Sequence, residues 1–231
     1  MLGGRPPEKV INHAPGQPGA QPDSRELDMS YENEKVVDIM IVIDALTILQ
    51  CAEQGVFPGG LSPHPDQPTQ LYSFYMPNSS TRVSDQVVCM YTTRNYVSGG
   101  SNSEGTAELS VDLNQDDYVH WRTTTLTKDM KYSAILYQYT QTNPDPATDR
   151  NVYLDQITAN VSPNTPMPII NNSNPPGSYC EQPFPQKVTA YYWSARAAKA
   201  CSNLRYNWSF MIVGNDKILG YCAWDPYFVI S

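Results

Sequence analysis

Imidazoles, carboxylates and thiols are the groups on which chemistry would rest in this chain, and their spacing is the first thing to weigh. The three histidines are His13, His64 and His120. They fall in three different settings: a proline-rich start, a proline-rich loop, and a strand-like segment just before Trp121. A three-histidine metal site would need His13 to be ordered. Asp38 and Asp44 stand six residues apart, so a regular strand would put both on one face. With His120 they make the one acid–base set the sequence offers, and proton transfer would need them within about 2.6–3.2 Å of the reacting atoms. The chain contains no GxSxG, HExxH, P-loop or dinucleotide fingerprint. Gly99–Gly105 (GGSNSEG) is glycine-rich but joins two strand-like runs and opens no helix, which reads as a hairpin loop and not a phosphate cradle. The expectation is a protein that is not an enzyme.

Side-chain oxygens and rings point instead to binding. Asn114, Asp116 and Asp117 crowd one turn, and Asn143, Asp145, Asp149 and Asn151 crowd another segment. Hard cations such as Ca²⁺ take oxygen ligands from loops of this kind, although Asn and Asp also satisfy tight turns by bonding their own backbone. Ca²⁺ is therefore the one cofactor to consider, and no EF-hand spacing demands it. The 16 tyrosines and 4 tryptophans gather toward strand ends, with Tyr137, Tyr139, Tyr191, Tyr192, Trp193, Tyr221, Trp224 and Tyr227 prominent. Rings flanked by Asn and Asp are what sugar sites use; sandwich cores and subunit interfaces absorb rings as well. The candidate ligand-binding residues are Trp224, Asp225 and Tyr227, with Asp44, Asn114 and Asp116. Their ligand would be a glycan or another small molecule.

The elements that must position these residues are strands. Val36–Leu49 is rich in Val and Ile and reads as a strand with a turn in its second half, a helix being the alternative. In Ala107–Leu113, Ala107, Leu109, Val111 and Leu113 point one way; in Leu204–Val213, Leu204, Tyr206, Trp208, Phe210 and Ile212 do. Further strands are expected at Gln86–Thr93, Tyr118–Leu126, Tyr132–Thr140, Val152–Val161, Lys187–Trp193, Ile218–Trp224 and Tyr227–Ile230, with one helical turn at Ser194–Ala200. Short strands divided by Gly, Pro, Asn and Asp predict an all-β, antiparallel β-sandwich, jelly-roll-like, in a single domain over 34–231. Residues 1–33, with Pro6, Pro7, Pro15, Pro18 and Pro22, predict a flexible tail. Gly55–Pro77 and Ser162–Pro185 are expected as long proline-rich connections that cover the sandwich or carry function.

Charge and cysteine use bound the partners. Fifteen Lys and Arg against 23 Asp and Glu leave a net charge of −8, which repels phosphate backbones and anionic lipid. Nucleic acid and membrane insertion are expected to play no part. Cys51, Cys89, Cys180, Cys201 and Cys222 are odd in number, widely spaced and free of CxxC pairs, as expected of reduced thiols in the cytoplasm. The first residues lack the apolar run of a secretory leader. The sequons at Asn78, Asn160, Asn171 and Asn207 therefore carry little weight.

Six segments, in order, resemble the PixA/AidA family of bacterial inclusion-body proteins. They are Asp38–Thr47 (DIMIVIDALT), Asp66–Thr69 (DQPT), the run from Met90–Arg94 through Val97-Ser98-Gly99 to Glu104–Leu113, Asp116–Thr125 (DDYVHWRTTT), Ala134–Tyr139 (AILYQY) and Gly220–Val229 (GYCAWDPYFV). The likeness runs from about Val36 to the C-terminus. Asp117 departs from it, standing where a hydrophobic residue often follows the family's GD, and the two long connections exceed the family's pattern. The resemblance implies a protein of cytoplasmic inclusion bodies, quorum-sensing-regulated expression or host association, and it transfers no catalytic residue. Two functions follow as expectations, ahead of a third, an enzyme of unrecognised type that would use Asp44 or Asp38 with His120. One is a non-catalytic, lectin-like binding module; the other is a self-assembling storage or stress protein. Sandwich edges favour pairing, so a homo-oligomer is expected in either case.

Overall fold

Val37, Ile39, Ile41 and Ile43 are all fully buried while Asp38 and Met40 between them face solvent. That period of two is what a strand with one dry face requires, and β1 spans Val36–Asp44. The computed structural model describes residues 35–99, 103–126, 131–170 and 183–231. The expected tail, His13, Cys180 and the Asn171 sequon lie outside the described residues.

The second half of the first apolar run is a helix, α1 (Ala45–Glu53), and not a turn within a strand. Asp44 makes the switch. Its carboxylate accepts from the Thr47 N–H at 3.0 Å and from Thr47 Oγ1 at 2.7 Å, an N-cap that outweighs the β-branched content of the following turn. A second short helix, α2 (Val83–Val87), precedes β3 (Val88–Thr92), so the strand expected from Gln86 begins later. The Gly55–Pro77 connection folds back as a cover. Within it β2 (Thr69–Gln70) adds to a sheet edge and Phe57 and Leu71 are buried.

The remaining strands are β4 (Ser110–Leu113), β5 (Tyr118–Leu126), β6 (Tyr132–Asn143), β7 (Leu154–Ile170), β8 (Pro183–Ala197), β9 (Cys201–Gly214), β10 (Lys217–Trp224) and β11 (Tyr227–Ile230). They build two sheets. One runs β3-β1-β5-β8-β7; the other runs β2-β10-β9-β11-β4, with β6 also paired to β9. The fold is the expected all-β sandwich. Antiparallel pairing dominates it, but β1–β5, β2–β10 and β4–β11 run parallel. Asn215 and Asp216, both at positive φ, form the tight turn between β9 and β10.

Aromatic rings fill the space between the sheets. Trp121 on β5 meets Trp208 edge-on at 5.2 Å and Phe228 at 5.8 Å, and Tyr206 stacks on Phe228 at 4.9 Å. Leu204, Tyr206, Trp208, Phe210 and Ile212 are all completely buried, as their alternation predicts. Each such side chain contributes roughly 1.5–3 kcal/mol on burial.

In the second long connection β7 continues to Ile170 and β8 begins at Pro183, so Ser162–Ile170 and Pro183–Pro185 are strand, while 171–182 lie outside the described residues. Pro166, Pro168, Pro183 and Pro185 fit a ladder whose outward positions need no donor, which composition alone hides. Ser194–Ala197 likewise extends β8 where a helical turn is expected, because Ala195 and Ala197 are buried in alternate register against β5.

Candidate functional site: a cleft between the sheets

The sandwich opens where β6, an edge strand, faces β5, β8 and β7 of the opposite sheet. Two hydrogen bonds span the gap. Thr125 Oγ1 donates to the Tyr132 carbonyl at 3.0 Å, and Trp193 Nε1 donates to the Leu136 carbonyl at 3.1 Å. Around Ser133–Leu136 lies a cleft of about 480 Å³, within the range of small-molecule sites.

Its lining follows from strand alternation. Trp193 supplies the ring at the floor, and the fully buried Trp121 lies beneath it with Trp208, which is 5.2 Å from each of them. Ala134, Leu136, Ala159 and Val213 wall it and Thr123 faces it, while the Asn160 side chain, paired opposite Tyr192, turns to the outer face, where it donates to Ser194 Oγ. Tyr191 and Val161 stand at the mouth, 58% and 59% exposed, and face each other across the β7–β8 ladder. β6 pairs with β9 on one side only, so its other edge turns backbone amides and carbonyls toward the opening. Among the described residues no Asp, Glu, His, Lys or Arg lines the cleft. It can stack a ring or an apolar sugar face and bond hydroxyls; it holds no acid–base pair.

None of the sequence-predicted binding residues reaches this cleft. Trp224 is 1% exposed and packs edge-on against Phe210 at 5.7 Å, so its ring belongs to the core and offers no face to a ligand. Asp225 and Tyr227 flank that core position beside Arg205, which pairs with Tyr227. Burial, and then Glu108, push the Asp225 carboxyl above its ordinary value, with Arg82 and Arg205 pulling the other way. Asp44 is committed to capping α1. Asn114 donates through its backbone N–H and Nδ2 to Asp117 Oδ2 at 2.8 and 3.0 Å, and Lys35 holds the same oxygen at 3.1 Å. Asp116 occupies the left-handed region at φ 73° with Arg196 at 3.8 Å. The LNQDD segment is thus a tight turn, and Asp117, though an acid where the family resemblance favours a hydrophobic residue, is buried and fully engaged. Among the described residues no three His, Cys, Asp or Glu side chains converge as metal ligands.

The acid–base set splits. Parallel register places Asp38 beside His120, with Asp38 Oδ1 at 3.9 Å from Nδ1, and Arg122 Nε holds the same oxygen at 3.2 Å. Asp44 sits at the far end of β1, six residues or about 20 Å along the strand. His120 is packed against the Tyr192 ring at 4.8 Å; burial lowers its pKa, Asp38 raises it and Arg122 lowers it. This group lies on the outer face of the sheet, opposite the cleft. Cys51, Cys89, Cys201 and Cys222 are free thiols, and burial raises the pKa of Cys51 and Cys222. Tyr191, Tyr192 and Trp193 stand among the prominent aromatics of the sequence, and the other cleft residues escape sequence reasoning because the site draws on five strands. The one local trace is the run Tyr191-Tyr192-Trp193, whose first and third rings share a face.

The family model described as PixA, inclusion body protein, matches residues 35–230. Among solved structures, the crystal structure of an inclusion body protein of that family from Burkholderia cenocepacia J2315 superposes with a TM-score of 0.56 at 16% identity, covering 86% of this chain and 97% of that one. At that identity the likeness concerns the fold. No curated protein matches the chain. Among the described residues no helix is long and apolar enough to cross a membrane.

Proposed function

The chain belongs to the PixA family of inclusion body proteins, and from that premise we propose that it is a non-catalytic binding module of cytoplasmic inclusion bodies whose ligand site is the inter-sheet cleft. The observation that carries this reading is the pairing of the Trp193 and Tyr191 rings with an open strand edge and, among the described residues, no charged side chain in the lining. Such a cleft favours an uncharged ligand with one flat apolar face and hydroxyls at its rim, and a carbohydrate has that chemistry. Calcium has no part in the contacts proposed here. Of the oxygens that suggested it, Asn114 bonds Asp117 within its turn, Asp116 faces Arg196 at 3.8 Å, and Asp149 accepts from the Asn151 N–H and the Tyr153 hydroxyl.

The experiment is a glycan array probed with the purified protein, with and without calcium, beside the variant Tyr191→Ala. Tyr191 is exposed, so its removal leaves the core untouched. Retention of defined glycans by the wild type, independent of calcium and lost in the variant, is the expected result. A blank array, or retention that Tyr191→Ala leaves unchanged, overturns the assignment of a sugar to this cleft.

A further inference from the structure

Beyond the body of the sandwich, β7 and β8 continue as a two-stranded arm from Thr165–Ile170 and Pro183–Val188. Among the described residues no other strand pairs with either edge of it. We propose that this arm is a docking element for the same arm of a second copy of the chain, joined through the face bearing Met167, Ile169, Phe184 and Val188. The inference is independent of the ligand assigned to the cleft.

Register decides which surface is available. Pro168 lies directly opposite Pro185, and neither has an N–H, so this is a pair whose backbone groups point outward and not across the ladder. Alternation then puts Pro166 and Pro183 in outward positions too, opposite Lys187 and Ile170. Met167↔Gln186 and Ile169↔Phe184 are the pairs that exchange hydrogen bonds, and none of these four residues is proline. Prolines therefore silence most of the outward donors on both edges. Strand addition, the usual fate of an open edge, is blocked, and only the faces remain for contact.

One face presents exposed apolar side chains with Thr165 and Gln186 among them. Met167 is 47% and Phe184 41% exposed, and Ile169 stands opposite Phe184 on the same side. The occupant follows from charge. The chain carries a net charge of −8, yet from Gln156 to Ile170 and from Pro183 to Ala195 it has no acid and a single cation, Lys187. A second copy meets net repulsion elsewhere, whereas the one charge of the arm, Lys187, pairs with Pro166 on the face away from Met167 and Phe184, so copies approach most readily arm to arm. Six residues of two strands give a face about 20 Å by 10 Å, or about 200 Å² per copy. That is well below the roughly 800 Å² per partner of a stable dimer, so the contact is weak and fills only at high concentration.

Sedimentation equilibrium of the full chain over a concentration series reaching the millimolar range tests this. The wild type is expected to rise in average mass with concentration, while Met167→Glu/Phe184→Glu stays at the monomer mass with an unchanged circular dichroism spectrum. A second variant, Pro168→Thr/Pro185→Thr, restores outward donors and is expected to give larger, edge-joined species. A wild type that remains monomeric throughout overturns the proposal and leaves the face to a different occupant. Association that the double Glu variant retains overturns it as well, by placing the contact elsewhere.

Discussion

β8 passes through two environments within one strand. From Trp193 to Ala197 it is held between β5 and β7, with Ala195 and Ala197 sealed in the core; from Pro183 to Val188 it has one partner and largely exposed side chains. In the body, burial does the stabilising and each position tolerates one kind of residue. In the arm the ladder and the prolines hold the geometry while the side chains are free for contact. The cleft lies at the junction, where Tyr191 is already open to solvent and Trp193 still anchors the two sheets.

This contrast is open to direct attack, and the largest effect belongs to the body. Trp121→Ala removes a ring that touches Trp208, Tyr206 and Phe228 and is expected to cost about 3–5 kcal/mol in urea unfolding. A loss below about 1 kcal/mol would mean that the sheets are not locked by this cluster. Asp44→Ala deletes the cap of α1 and is expected to cost about 1 kcal/mol by the same measurement, with Asp44→Ser recovering most of it. On the outer face, the lowered His120 pKa means that the protein is stabilised by neutral imidazole above its ordinary value of 6.5 and loses that contribution as pH falls through the lowered folded value. His120→Gln should therefore flatten the decline in thermal midpoint below pH 6.5; an unchanged pH profile would show that the ring is not held neutral by the fold. Smallest of all, Phe184→Thr in the arm should shift unfolding free energy by no more than about 0.5 kcal/mol, since its side chain gives up little burial. A larger loss in dilute solution would show the arm to be part of the cooperative body.

Sequence reasoning succeeded where one strand's own pattern was sufficient. The five buried residues of β9 and the boundaries of β5 and β11 were legible because alternation is a local property that burial on one face enforces. It failed where neighbours decided. Val36–Leu49 changes from strand to helix at a carboxylate that caps the helix, and Pro166, Pro168, Pro183 and Pro185 look like loop until the partner strand shows their N positions to face outward. Trp224 illustrates the same limit for the site: a tryptophan beside an aspartate resembles a sugar platform in sequence, and its burial against Phe210 is a fact of packing.

By itself, then, the sequence determined the all-β class, the family, the acidic surface and the identity of the core faces, because composition and period-two patterning act within single strands. Tertiary structure alone decided that β1 and β5 run side by side, that Trp121, Trp193 and Tyr191 border one cleft, and that a proline-rich stretch is a paired arm. These depend on register between segments distant in sequence, and register is settled by which faces can be buried together.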